Sequence, residues 1–468
     1  MEYKLSKDIF LRESQMFSQN GEYFYHKQGR RFKLFPFKTS VSDYTIVEIS
    51  PLIGDVLCNI EGKKTSRLDL DQLIDKLQNN VDMDDESKDL FNETIRQLLL
   101  DDQGEIHPFN LQMLEQMPYE GENKNLASHI AEYIADVLGD KEVLKRSLQN
   151  SNENSQQNSN VFERLILSNL DSTHCDGGKR LSYFRITNSL KKCFEADFAY
   201  IIGEQEDSLN HLTQLFEFYY FSYTAQACMQ LNRFMDGERE NIIPLYFSLD
   251  WEKTSMSRQC YTEGWQKLQR SIKNIFAHAV TLEILNQTED KTKQYDYIAI
   301  RNMIDSNKEK DHIISTEIDE VTSCYREAFQ GCSEMRKLKK QDTSSGRTAD
   351  SIKYLFDSIN AVLQYTERHR VYDEYAKNFS QYCNKYLKNR GRSGMMLNLT
   401  EENLIFLTEL CIKDREAMRL NDVFEGLRAR GIFLDSISKA QVAEYYEKLN
   451  LIEKKSDSGD AKYVKRIL

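Results

Sequence analysis

Residues 209–231, LNHLTQLFEFYYFSYTAQACMQL, carry Leu209, Leu212, Phe216, Tyr219, Tyr223, Ala227 and Leu231 at steps of three and four. That spacing stacks the apolar side chains on one helix face, because a turn takes 3.6 residues. A second stripe follows at Ile352, Leu355, Ile359 and Leu363, and the loop Gln341 to Asp350 separates helices. Only five prolines and nineteen glycines punctuate the 468 residues. Long uninterrupted elements, and so a mainly α (α+β) fold, are predicted.

Working outward, residues 161–390 read as an irregular helical middle domain, with no sequence echo to suggest a repeat solenoid. On its N-terminal side, Gln149 to Asn160 (QNSNENSQQNSN) has no apolar side chain. Such a stretch buries nothing to offset its conformational entropy, so 149–160 is expected to be a polar flexible linker. Residues 1–148 then form an acidic α+β domain. Asp69 to Asn160 holds 20 Asp and Glu against 7 Lys and Arg, enough to account for the whole net charge of -12.

A small N-terminal strand region is predicted there. Tyr23-Phe24-Tyr25 and Phe32 to Phe35 flank a Gln28-Gly29 turn, and Tyr44 to Ile49 is β-branched and aromatic. Helical spacing follows in Leu68, Leu73, Leu77 and in Leu90, Ile95, Leu98. The hairpin interleaves Lys27, Arg30, Arg31 and Lys33 with Tyr23, Tyr25 and Phe32, a pattern that can pair phosphates and stack bases. Edge strands carry the same cations to avoid aggregation, so these four are the weaker candidates for nucleic-acid contact.

On the C-terminal side, Lys377 to Arg392 holds five basic residues and no acidic one, and 391–398 reads as a short linker. Residues 399–468 make a final module. Leu399 to Ile412 is a first helix capped by Thr400, and Arg419 to Arg430 a second, stopped by Gly431. Ser438 to Leu449 is a third, with Ser438 as its cap. Leu451 to Lys455 and Lys462 to Ile467 flank a polar turn at Asp457 to Asp460 and form a β-hairpin. Three helices and a hairpin is the winged-helix order.

The third helix offers Lys439, Gln441, Glu444, Glu447 and Lys448 on its polar face, and its carboxylates repel phosphates. Glu444, Tyr445 and Glu447 are therefore the candidate partner-docking residues. Lys454, Lys455, Lys462, Lys465 and Arg466 make the wing basic and are the candidate DNA-backbone contacts.

Catalytic motifs are not found. Gly177-Gly178-Lys179-Arg180 and Gly62-Lys63-Lys64 lack the loop length and the hydroxyl of a phosphate-binding loop. His174-Cys175 stands alone without a second ligand pair, and nine cysteines form no C-x-x-C. Neither a catalytic residue, a cofactor nor a metal is expected, and ATPase or nuclease activity is not anticipated. No stretch reaches the roughly 18–20 apolar residues that cross a bilayer. Met1-Glu2-Tyr3-Lys4 opens no apolar signal core, so a cytoplasmic location and no membrane partner are expected.

The run LNLIEKKSDSGDAKYVKRIL (Leu449 to Leu468), with the helices before it, resembles the bacterial family of DNA phosphorothioation-dependent restriction proteins DptG. Residues 399–468 carry the specific part of the resemblance; elsewhere the similarity is one of length and of strand-then-helix layout. It implies a non-catalytic structural or adaptor subunit of a restriction system that attacks DNA lacking the host's phosphorothioate mark. DptF- and DptH-type restriction proteins, which carry the nucleotide-hydrolysing motifs, would be its partners, with DNA contacted through the complex. No catalytic set transfers residue by residue. Two alternatives stay open: a free-standing winged-helix DNA-binding regulator, and a cryptic metal-dependent nuclease using Asp69, Asp71, Asp82, Asp84, Asp85 and Glu86. In that acidic run, solvated surface is the simpler reading.

Overall fold

The helix anticipated from 209–231 spans Ser208–Leu231. Residues 221–230 are buried on every face, so the chain here is wrapped all round and lacks the exposed side a surface helix would keep. Its buried polar groups are satisfied locally. The Gln226 amide donates to the Ile243 carbonyl (2.9 Å) and accepts from the Ile243 N–H (2.9 Å), while Gln230 bonds the backbone of Glu238 and Asn241.

The computed structural model describes residues 3–14, 24–39, 48–64, 66–171, 180–203, 208–343, 346–454 and 462–467. They are mainly helical, with two three-stranded sheets. The chain divides into two compact units, and the division falls inside the Ser208–Leu231 helix. The larger comprises Met1–Val47, Leu181–Leu190 and Phe221–Leu468; the smaller comprises Glu48–Arg180 and Lys191–Tyr220. No described helix is long and apolar enough to cross a membrane.

In the smaller unit, the helices Ile53–Glu61 and Lys124–Val137 pack closely. Gly54 lets the first of these helices approach the 114–117 backbone: a Cβ there would run into the Leu114 carbonyl oxygen and stand 2.7 Å from that of Met117. A second apolar cluster joins Leu73, Ile74 and Leu77 of Leu70–Asn79 to Ile95 and Leu99 of Asp85–Leu99 and Ile166 of Val161–Asn169.

The stretch expected to be a linker is helical. Lys141–Asn158 is one helix, started by Asp140 and packed on Lys191–Gly203. Leu144 and Leu148 anchor its first half. Polar contacts carry it onward: the Ser151 hydroxyl donates to the Ile202 carbonyl (2.5 Å), and Asn110 donates to the Ser155 hydroxyl (2.7 Å). Asn160 then opens the next helix with a capping box to Glu163. Both sides of 149–160 thus belong to one unit, so the boundary expected there is displaced.

In the larger unit, Ile275–Leu285 is buried at every position; Arg347–Tyr365 and His369–Cys383 pack against it, and Glu309–Ala328 packs on Arg347–Tyr365. The first sheet contains β1 (Ser248–Leu249), β2 (Leu387–Asn389) and β3 (Met395–Leu399), in the order β1-β3-β2. β3 pairs parallel with β1 and antiparallel with β2. Residues 395–398, expected within a linker, are therefore most of a central strand whose last four residues are buried.

The N-terminal strands are not formed among the described residues. Residues 24–39 run without strand pairing, and Tyr23 and 44–47 lie outside the described residues. The reason lies in the hydrogen bonding: the backbone N–H groups of Arg30, Arg31 and Phe32 all donate to the buried Glu283 carboxylate at 2.9–3.2 Å. A side chain occupies the donors that a neighbouring strand would need.

The C-terminal module contains the helices Glu401–Ile412, Leu420–Ala429 and Ser436–Lys448, with β4 (Ala417–Arg419), β5 (Ile452–Lys454) and β6 (Lys462–Lys465). The sheet order is β4-β6-β5, antiparallel throughout. Thr400 caps the first helix as expected, and Gly431 at φ +88 follows the second. The third is capped by Asp435, which accepts from the N–H groups of Ile437 and Ser438, so Ser438 is already inside it. β4, between the first and second helices, was not anticipated.

Candidate functional site

The third helix and the β5–β6 pair are built over one small core. Val442 and Tyr446 of the helix, Val464 of β6 and Val423 and Leu427 of the second helix are buried. The Tyr446 hydroxyl reaches that of Thr408 on the first helix at 2.5 Å. These contacts fix which helix faces point outward. Ile437, Gln441, Glu444 and Lys448, spaced by three and four, form an outward ridge, with Ile437 52% exposed.

The structure joins the two sets of candidates. Glu447 of the third helix accepts from the Lys462 ammonium of β6 (2.7 Å), and Glu444 pairs with Lys448 (2.9 Å). Register places Lys454 opposite Lys462, and Glu447 supplies the counter-charge on the Lys462 side. The acidic helix and the basic strand thereby neutralise each other in part. Lys465 is exposed; Arg466 is exposed too, and its N–H donates to the Glu416 carbonyl (2.9 Å). Lys454 closes β5, and Lys455 lies outside the described residues.

Tyr445 is half-buried and engaged within the chain. Its ring lies 4.6 Å from that of Trp251, and its hydroxyl donates to Glu401 (2.9 Å). Burial first, and then the Glu401 carboxylate, raise its pKa.

The module is fixed to the rest of the larger unit by a buried ionic cluster that sequence reading missed. The Arg258 guanidinium donates to both Asp435 oxygens at 2.7 Å, to Ser438 at 2.8 Å and to Glu252 at 3.2 Å. All four side chains are buried. Burial opposes the Arg258 charge, but the Asp435 bonds and the Glu252 field raise its pKa above the ordinary value. Burial likewise pushes the Asp435 carboxyl up, and Arg258 with the Ser438 N–H brings it below the ordinary range. Arg258 and Asp435 stand 177 positions apart, so their pairing carries no local spacing signal. Arg390 works outside the module, joining strands of the first sheet: it donates to the Leu249 carbonyl of β1 (2.5 Å) and to Asn398 of β3 (2.7 Å).

The N-terminal cations are mostly spent within the fold. Arg31 is 5% exposed and donates to the Thr288 carbonyl (3.2 Å), and Lys27 donates to that of Glu13 (2.6 Å). Lys33 sits 4.1 Å over the Tyr183 ring, and Arg30 stays exposed, 3.9 Å from Glu13. A phosphate would meet Arg30 first, and a buried Arg31 not at all.

The remaining motifs take structural parts. Asp69 and Asp84 cap helices, Asp71 pairs with Arg96 and Asp85 with Lys88. Among the described residues no group of three His, Cys, Asp or Glu side chains is placed to hold a metal ion. Lys63 bridges the buried carboxylates of Glu61 and Glu115. Burial, then Glu61, pushes the Glu115 carboxyl up to about 7 despite Lys63. Arg180 pairs with Asp136 (2.8 Å), while His174, Cys175 and Gly177 to Lys179 lie outside the described residues. No family model matches the chain, and no curated protein matches it.

Proposed function

We propose that this chain is a non-catalytic adaptor subunit of a bacterial DNA phosphorothioation-dependent restriction complex, acting in the cytoplasm beside DptF- and DptH-type nucleotide-hydrolysing partners. In this reading residues 399–468 are a winged-helix module used first to dock on protein, with the DNA backbone a secondary contact. The resemblance of Leu449 to Leu468 to the DptG family suggests the system. The order β4-β6-β5 with three helices supports the module assignment.

The Glu447–Lys462 pair is the observation that carries the docking reading. A strand that clamps DNA phosphates gains affinity from cations whose counterions are released. Here one of the wing cations already has a carboxylate at 2.7 Å, supplied by the helix that would have to enter the groove. The resulting surface is mixed in sign with an apolar tip at Ile437, which suits a protein partner better than a polyanion.

Co-purification with the DptF- and DptH-type proteins tests this. Ile437→Ser with Glu444→Lys should break assembly while the thermal transition is kept, and Lys462→Glu with Lys465→Glu should leave it intact. Normal assembly in the first variant would refute the docking reading, and loss of DNA binding with normal assembly in the second would refute a docking-only role. If DNA leads, removing two phosphate contacts should lower the salt slope by about 2.

A further inference from the structure

The Asp85–Leu99 helix of the smaller unit has two apolar faces and only one of them is covered. Ile95 and Leu99 point into the cluster with Leu73, Leu77 and Ile166. Leu90 and Leu98 point outward, 68% and 52% exposed, separated by two helical turns with Thr94 between them. An i, i+4, i+8 line of this kind lies along one side of a helix and matches the contact stripe of a second helix.

The charges beside the stripe identify what would cover it. Glu86, Asp89 and Glu93 are exposed along its edge, and Asp101 and Asp102 lie just beyond the helix end. The nearby cations are already engaged, Lys88 by Asp85 and Arg96 by Asp71. Glu93 accepts from Gln97, and among the described residues no cation pairs with Glu86 or Asp89. A second copy would bring the same acidic rail against this one, and like charges in register oppose association. A helix with apolar anchors bordered by Lys or Arg satisfies both the stripe and the rail.

We propose that Leu90, Thr94 and Leu98, bordered by Glu86, Asp89 and Glu93, form a docking surface for a basic amphipathic helix of another protein chain. The surface lies in the smaller unit, so it does not depend on how the C-terminal module is used.

The test uses the full chain and a fluorescently labelled amphipathic peptide with leucines at helical spacing bordered by lysines, beside its glutamate counterpart. The chain should bind the lysine peptide saturably, release it as salt rises, and ignore the glutamate peptide. Leu90→Ser with Leu98→Ser should weaken binding about tenfold or more, since two leucines lose their burial. Both side chains are exposed, so the circular dichroism spectrum should not change. Glu86→Lys, Asp89→Lys and Glu93→Lys together should reverse the peptide preference, and Ile437→Ser should change nothing. Unchanged affinity in the leucine variant, an equal loss with Ile437→Ser, or unreversed preference in the charge variant overturns the proposal. So does a concentration-dependent dimer dissolved by the leucine substitutions, which would make a second copy the occupant.

Discussion

Arg258→Met removes the cation that Asp435 and Glu252 share, and it should be among the most damaging single substitutions in the larger unit. The guanidinium makes two bonds of 2.7 Å to Asp435 and reaches Ser438 and Glu252 at 2.8 and 3.2 Å, all among buried side chains. Breaking a buried pair from one side leaves uncompensated charge, which costs about 3–5 kcal/mol, against about 0–1 kcal/mol for an exposed pair. Urea unfolding followed by tryptophan fluorescence reads this directly, because Trp251 and Trp265 both belong to the larger unit. The loss should also depend on pH in a defined direction. In the native protein the Asp435 carboxyl is held below its ordinary value, so its contribution is present at neutral pH and falls away as acid protonates it. Without Arg258 the buried Asp435 carboxylate takes up a proton more readily, so the penalty is largest near pH 7 and shrinks toward pH 5. A loss below about 1 kcal/mol at pH 7, or one that grows on acidification, would refute the buried-lock reasoning.

The buried His278 imidazole, whose Nδ1 faces the Tyr297 hydroxyl at 2.9 Å and whose ring stacks on Phe356, is held neutral by burial first and by the field of Lys353 second. Its folded pKa lies well below the unfolded one, so the unfolded chain binds more protons and stability falls below about pH 6.5, by about 1.4 kcal/mol at pH 5.5. His278→Phe should remove that part of the pH slope between 7.5 and 5.5 in thermal melts; an identical slope would contradict it. Gly54→Ala should destabilise the smaller unit by about 1–3 kcal/mol in chemical unfolding, because the new Cβ meets the Leu114 and Met117 backbone oxygens and no flexible side chain can give way; a neutral effect would mean that the backbone there yields. Limited proteolysis should spare 149–155, since that stretch is helical and tied to Ile202 and Asn110; first cleavage there would restore the linker reading.

Local patterns were legible and long-range ones were not. The Ser208–Leu231 helix, the Thr400 cap and the three C-terminal helices follow from spacing and capping chemistry that sit within a few residues. Composition misled at 149–160, because a segment without apolar side chains was judged unable to pack, whereas Ser151 and Ser155 hold it through hydrogen bonds to residues 51 and 45 positions away. The β3 signal was present, since Met395 to Leu397 is an apolar run directly after Gly394, but its partner β1 lies about 150 residues upstream, and a lone run of that length reads equally well as a connection. The aromatic and basic segment around residues 23–35 looked like a hairpin by β propensity, and Glu283 captured its donors instead. At the candidate site the residue types were visible, but their pairing was not: Glu447 with Lys462, and Tyr445 with Trp251, are set by the tertiary fold.

Those pairings change the electrostatic argument for the C-terminal module. Read from sequence, the third helix repels DNA and the wing attracts it, and the outcome depends on which charge prevails. In the folded chain Glu444 and Glu447 have cations at 2.9 and 2.7 Å, so the repulsion and the attraction diminish together. Electrostatics then selects DNA less strongly, and shape and mounting weigh more. The module is tied to the rest of the larger unit by the Arg258 cluster and by the Phe433 backbone bonding to Leu245 and Phe247. A module held in this way presents one fixed orientation of its Ile437 to Lys448 ridge. A prepositioned surface loses less freedom on association than a tethered one, and that favours a subunit whose neighbours must be held in a defined geometry.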